Sequence, residues 1–137
     1  MLKLNHTLYS MSKLLDMYHM DKLIINEHQL SHNFDDTQDS FIIETLLMGI
    51  PVNIVCQQQL GGKMKIISKG FNNVIDFFEN KRPINILDLY PEIHGKFFND
   101  LDNLYKNILL NSNILIIKTM HNSLEDLKKL DYIVKNA

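Results

Sequence analysis

Apolar residues in this chain recur with two different periods, and the alternation between them restricts the fold more than any other feature. Leu4, Leu8, Met11, Leu15 and Tyr18 step by four, three, four and three. That spacing marks one face of an α-helix and predicts an amphipathic helix of about four turns within the first 20 residues. Lys22 to Ile25 reads as a short strand. Asn26 to Asp39 is polar and reads mostly as loop. Ser40 to Met48 is apolar enough for a buried helix, with Gly49 closing it before Pro51. Val52 to Gln57 and Met64 to Ile67 are short strands around Gly61-Gly62, a hairpin signal. Gly70 to Glu79 is helical, with Val74, Phe77 and Phe78 on one face. Pro83 to Leu89 is irregular, Pro91 to Gly95 a turn, and Asp100 to Leu110 helical. Asn113 to Thr119 holds Ile-Leu-Ile-Ile, a buried strand, and Asn122 with Glu125 opens a last helix reaching about Lys135. Strands mixed with helices and no internal repeat predict one α/β (α+β mixed) domain over residues 1–137.

Several function classes fall away on composition. The 137 residues are 45% hydrophobic and 22% charged, the balance of a folded domain. No apolar run approaches the roughly 20 residues of a membrane span. Met1 to Ser10 alternates apolar with polar residues, unlike a signal peptide. Cys56 is the one cysteine, so an internal disulfide and a cysteine-built zinc site are excluded. A reducing, cytoplasmic location is expected, the host cytoplasm or a virion if a phage encodes the chain. Lys and Arg total 14 against 16 acids, which argues against avid non-specific binding to nucleic acid. Arg82 is the only arginine, so bidentate guanidinium chemistry has one source. The richness in Asn, Ile and Lys points to an AT-rich genome, such as that of a bacterium, phage or large virus.

The chemistry-bearing residues do not assemble into a catalytic set. His28 and His32 are four apart, but Gln29, Leu30 and Ser31 lie between them, and the metalloprotease pattern is absent. No metal and no cofactor is expected. Gly61-Gly62-Lys63 lacks the spacing of a phosphate loop, and Met64 stands where Ser or Thr is needed. Cys56 in a strand is expected to be buried and inert. Asp35-Asp36 and Glu125-Asp126 are neighbours in sequence whose carboxylates point apart, and His94 and His121 flank turns.

Three stretches in order resemble the N-terminal domain of the GmrSD type IV restriction enzymes, a family related to the ParB and sulfiredoxin-like fold. Ile24-Ile25-Asn26-Glu27-His28-Gln29-Leu30, with Phe34-Asp35 after it, resembles the family's opening Ile-Ile-Pro…Gln-Arg…Trp-Asp. Ile42-Ile43-Glu44-Thr45-Leu46-Leu47-Met48-Gly49-Ile50-Pro51 is similar to its Leu-Ile-Glu-Ser-Ile-Leu-Leu-Gly-Ile-Pro helix. Tyr90-Pro91-Glu92-Ile93-His94-Gly95-Lys96-Phe97-Phe98-Asn99-Asp100-Leu101 follows its Leu-Pro-Glu-Leu-Asn-Gly-Lys-x-Phe-x-Asp-Leu. The resemblance covers residues 22–135. It implies a ParB/sulfiredoxin-like small mixed sheet with packed helices, preceded by the N-terminal amphipathic helix of residues 1–20.

The family's signature, Asp-Gly-Gln-Gln-Arg, is associated with nucleotide binding and hydrolysis. Its place here is taken by Lys69-Gly70-Phe71-Asn72-Asn73, in which only the glycine survives. Leu30 stands where the first motif has arginine. The resemblance therefore implies a degenerate nucleotide pocket at Gln29, Asp35, Lys69, Gly70, Asn72 and Asn73. Phosphoryl transfer needs positioned positive charge and metal-holding acids, so no enzymatic activity is expected. The expected function is a non-catalytic protein-interaction or structural domain, encoded by a phage or other mobile element. The rival is a regulator or decoy of a restriction system that binds nucleotide or modified DNA through the degenerate pocket. The stripe Leu4, Leu8, Met11, Leu15 and Tyr18 is the candidate interaction surface, covered either by the chain's own core or by a partner or second subunit. An isolated helix of this length is marginal in water without such cover.

Overall fold

The computed structural model describes residues 4–25, 36–68, 70–85, 89–119 and 132. The chain begins with a strand, not a helix. β1 is Leu4–Ser10, and α1 follows directly as Met11–His19. The change of state falls at Ser10, whose backbone is extended and whose Oγ accepts the Lys13 N–H at 3.1 Å. Serine at a helix N-cap satisfies an amide that the first turn leaves open. Upstream of it, Asn5, His6, Thr7 and Tyr9 are poor helix formers, and Thr and Tyr favour strands. The helical spacing from Leu4 to Tyr18 therefore runs across two elements.

The remaining elements are β2 (Leu23–Ile25), α2 (Asp36–Leu47), β3 (Val52–Gln58), β4 (Met64–Ile66), α3 (Phe71–Phe78), α4 (Asn103–Leu110) and β5 (Asn113–Thr119). Short 3-10 turns sit at Leu60–Gly62, Pro91–Ile93 and Phe98–Asp100. The hairpin, the Gly49 stop and the buried last strand occur where the sequence puts them. α2 starts earlier than expected, at Asp36, so residues 36–39 are helical rather than loop. α4 starts at Asn103 instead of Asp100, because residues 98–100 form a separate turn. The helix expected over Asn122 to Lys135 lies outside the described residues, apart from Tyr132.

The strands form one mixed five-stranded sheet in the order β1-β5-β3-β4-β2. β5 is antiparallel to β1, from Leu4 opposite Thr119 to Ser10 opposite Asn113. On its other side it runs parallel to β3, with Val52 beside Ile114 and Gln57 beside Thr119. β4 is antiparallel to β3 and parallel to β2. Strand side chains alternate between faces, and the register puts Ile54, Cys56, Met64, Ile66, Ile114 and Ile116 on one face. These pack with Met11 and Leu14 of α1, Ile43 and Leu46 of α2, Phe71 and Val74 of α3 and Leu109 of α4 into a single core. Phe98 closes it at one end, edge-on to Phe77 with ring centroids 5.8 Å apart. On the opposite face Val55 and Ile117 are also buried.

Met11 and Leu14 have no exposure at all and Leu15 is buried. Residues 4–20, which precede the stretch that carries the resemblance, are thus part of the core and sheet and not an appended helix. β1 completes the sheet and α1 supplies part of the core. Met11 and Leu15 leave the interaction stripe for the same reason, and Tyr18 is half-buried against the core. Of the stripe, Leu8 is exposed, at 56%.

Three helices end in the same cap. Ile50 N–H donates to Thr45 C=O and Gly49 N–H to Leu46 C=O, with Gly49 at φ 79°. Lys22 to Met17 and Asp21 to Tyr18 repeat the pattern after α1, and Lys81 to Asp76 and Asn80 to Phe77 after α3. This double bond is the Schellman motif, and its left-handed residue is usually glycine. Here Asp21 (φ 59°) and Asn80 (φ 61°) occupy it. A non-glycine residue there is strained. Asn80 gains an offsetting bond, because its Oδ1 accepts the Asn99 N–H at 2.8 Å.

Two outcomes follow. Leu14→Ala should cost about 2–5 kcal/mol in urea unfolding, the range for a fully buried leucine. Asp21→Gly should stabilise the chain by about 0.5–1 kcal/mol by relieving left-handed strain. An unchanged urea midpoint in Asp21→Gly would show that the strain is absent.

Candidate functional site

The positions at which the resemblance implies a nucleotide pocket are only partly within the described residues. Gln29, Asp35 and Lys69 lie outside them, as do His28 and His32. Gly70, Asn72 and Asn73 lie together at the start of α3. The approach to this helix is pinned from below. Ile67 N–H donates to Val55 C=O at 2.9 Å, and buried Ser68 accepts the Val55 N–H on its Oγ at 2.8 Å. Gly70 then turns the chain with φ 87° and ψ −15° and serves as the N-cap without a side chain to offer. Phe71 anchors the first turn in the core, and Asn73 is buried beside it. Asn72 Oδ1 is buried with no hydrogen-bond partner among the described residues. Of the nearby lysines, Lys65 is half-buried on β4, on the face opposite Met64 and Ile66, and Lys63 is exposed at the hairpin. The arrangement holds one orphaned amide oxygen and no carboxylate among its described residues. It can accept a proton donor, but it offers no described group to hold a metal or move a proton.

The sole arginine sits elsewhere. Arg82 lines an open cleft of about 540 Å³ with Asp76, Lys81, Pro83, Asn85 and His94. Two backbone bonds join its sides: Ile84 N–H donates to Lys96 C=O at 2.8 Å and Gly95 N–H to Ile84 C=O at 2.7 Å. Arg82 and His94 meet only in the fold, since no periodicity in the sequence connects a turn after α3 to a 3-10 turn ten residues on. The cleft mixes basic groups with the Asp76 carboxylate.

Two further polar contacts tie elements together. His19 of α1 pairs with Glu79 at the end of α3. The Tyr105 hydroxyl donates to the Glu92 carboxylate, which holds Glu92 below its ordinary pKa and pushes Tyr105 up. Both partners of that second contact are at the surface and join the 91–93 turn to α4. Among the described residues no group of three His, Cys, Asp or Glu side chains could hold a metal ion, and no described helix is long and apolar enough to cross a membrane.

The outer edge of β1 is the most distinctive surface. Met11 N–H donates to Ser112 C=O at 2.9 Å, which fixes the parity of the β1–β5 ladder. In an antiparallel pair every second residue bonds inward, so Thr7 and Tyr9 face β5 with their backbone groups. His6 and Leu8 turn theirs to the open side. Asn5, His6 and Leu8 are exposed. Residues 4–10, Leu-Asn-His-Thr-Leu-Tyr-Ser, contain no Lys, Arg, Asp, Glu or Pro. Those are the residues that normally blunt a free sheet edge. A second apolar exposure, Phe41 of α2 and Leu104 of α4, lies on two helices packed against each other.

No protein-family model, curated protein or solved structure matches the chain.

Cys56 sits on β3 without exposure, as the sequence predicts. Burial pushes its thiol up to about 12, and Lys118 offsets only part of this. The sign follows from linkage. A thiol raised in the folded state stabilises the fold below its unfolded pKa, and that contribution is lost as pH rises. The chain should therefore lose stability above about pH 8.5, the unfolded thiol value, and Cys56→Ala should flatten that slope. Iodoacetamide at pH 8 should label Cys56 only in denaturant; rapid labelling of the folded chain would contradict its burial.

Proposed function

We propose that this chain is a non-catalytic protein-interaction domain whose docking element is the N-terminal strand. The observation that carries the reading is the long, uncharged, unblunted outer edge of β1, with Leu8 exposed beside it. An open edge presents aligned backbone donors and acceptors, and the chemistry that satisfies them is another strand. The reading keeps the resemblance to the GmrSD N-terminal domain as its ancestry: a retained fold in which Lys69 and Asn73 replace the acid and arginine of the nucleotide signature. It places the chain in a cytoplasm, that of a host cell if a phage or mobile element encodes it.

A second reading has one observation in its favour. Asn72 Oδ1 is buried at the start of α3 without a partner among the described residues, and a nucleotide or modified base could satisfy it. In that reading the chain is a regulator or decoy of a restriction system, binding without turnover.

The test has two arms. Purified chain incubated with each of the four ribonucleoside triphosphates should release no phosphate above a buffer blank; turnover lost on Lys69→Ala would overturn the non-catalytic reading. In affinity capture from the native source, wild type should retain partners that Leu8→Pro does not. Proline at position 8 removes an N–H that points away from β5, so the fold tolerates it while strand docking does not. Capture that is identical for both proteins, together with nucleotide binding lost on Asn72→Ala, would favour the second reading.

A further inference from the structure

We infer that the outer edge of β1 pairs with the same edge of a second copy, antiparallel about a twofold axis at Thr7, so that one sheet continues across two chains. This rests on the reading of the chain as a protein-interaction domain and names its partner.

Three features select a second copy. The first is parity. His6 and Leu8 both direct their backbone groups outward, and an axis at Thr7 sets His6 of one copy opposite Leu8 of the other. Each such pair can exchange both of its backbone hydrogen bonds. The second is closure of the register. With the axis at Thr7, Leu4 meets Ser10, Asn5 meets Tyr9 and His6 meets Leu8, so the whole strand is paired. An axis at His6 would set two imidazoles face to face, and an axis at either His6 or Leu8 would leave residues overhanging. The third is charge. Residues 4–10 carry no formal charge and the chain as a whole is near neutral at −2, so two copies meet without like charges opposite each other.

Side chains fit the same arrangement. Leu8 lies on the sheet face opposite the core, 56% exposed, beside Leu115 of β5. Across the axis it stands diagonal to the second Leu8, within reach for apolar contact. Thr7 faces its own copy at the axis, a favourable cross-strand pair. The opposite edge of the sheet offers no such site among the described residues, since β2 has three residues there.

The experiment is sedimentation velocity of the full chain from low micromolar to submillimolar concentration, with amide exchange at His6 and Leu8 followed in parallel. Wild type should show a monomer–dimer equilibrium, and the two amides should slow as dimer forms. Leu8→Pro should keep its circular dichroism spectrum and weaken dimerisation at least about tenfold. Thr7→Pro, whose N–H faces β5, should instead lower the thermal midpoint. Should Leu8→Pro not fold, Leu8→Lys keeps the backbone and sets two cations diagonally across the axis; it should weaken the dimer to a similar degree. A chain that stays monomeric with fast exchange at both amides overturns the inference, and so does a dimer that persists in Leu8→Lys. If the two amides of such a monomer slow only when native extract is added, the interaction-domain reading stands without the second copy. If nothing slows them, both fall.

Discussion

The pairing of β5 between β1 and β3 is the interaction on which the rest of the fold depends. It joins the first described strand to the last across more than a hundred residues, and Ile114 and Ile116 fill the centre of the core from it. Closing so long a loop is entropically costly but grows only slowly with length. Burying each isoleucine returns about 1.5–3 kcal/mol. Because β5 is antiparallel to β1, Ser10 arrives beside Asn113 and α1 is launched over the core face. Because β5 is parallel to β3, α3 and α4 must lie in the crossover between them, which brings α4 against α2.

The same pairing decides what remains at the surface. Once β5 is sandwiched, β1 has only one neighbour among the described residues, and its alternate backbone groups face outward. A sheet with a charged or very short terminal strand would leave little to bind. Here the long edge is neutral and the short one is β2. The start of α3, with Asn72, and the Arg82 cleft belong to the part of the chain after β4, away from β1 in the sheet order. The structure therefore separates the features that would bind a small ligand from those that would bind a strand, and variants at Leu8 and at Asn72 can be interpreted independently.

Local signals were legible where a single residue type forces the backbone. Gly49 before Pro51 announced the end of α2, Gly61-Gly62 announced the turn between β3 and β4, and Ile114 to Ile117 announced a buried strand. Asp21 and Asn80 hold the same cap as Gly49, yet nothing in their identity requires a left-handed conformation. The neighbouring hydrogen bonds impose it. The cleft around Arg82 was illegible for a related reason, since its two walls meet only after α3 and the 91–93 turn have docked.

The sequence by itself determined the mixed α/β class and a buried Cys56. These follow from composition, short-range periodicity and residue identity. Tertiary structure decided that Leu4–Ser10 is a strand. The four-three spacing of Leu4, Leu8, Met11, Leu15 and Tyr18 fits one continuous helix as well as a strand that hands over to a helix at Ser10. Local propensities differ by well under 1 kcal/mol per residue, too little to choose between them. The choice was made by β5, which offers a row of backbone partners to Leu4–Ser10, while the core takes Met11 and Leu14. A stripe that looked like one helix face thereby became a core anchor and an open edge.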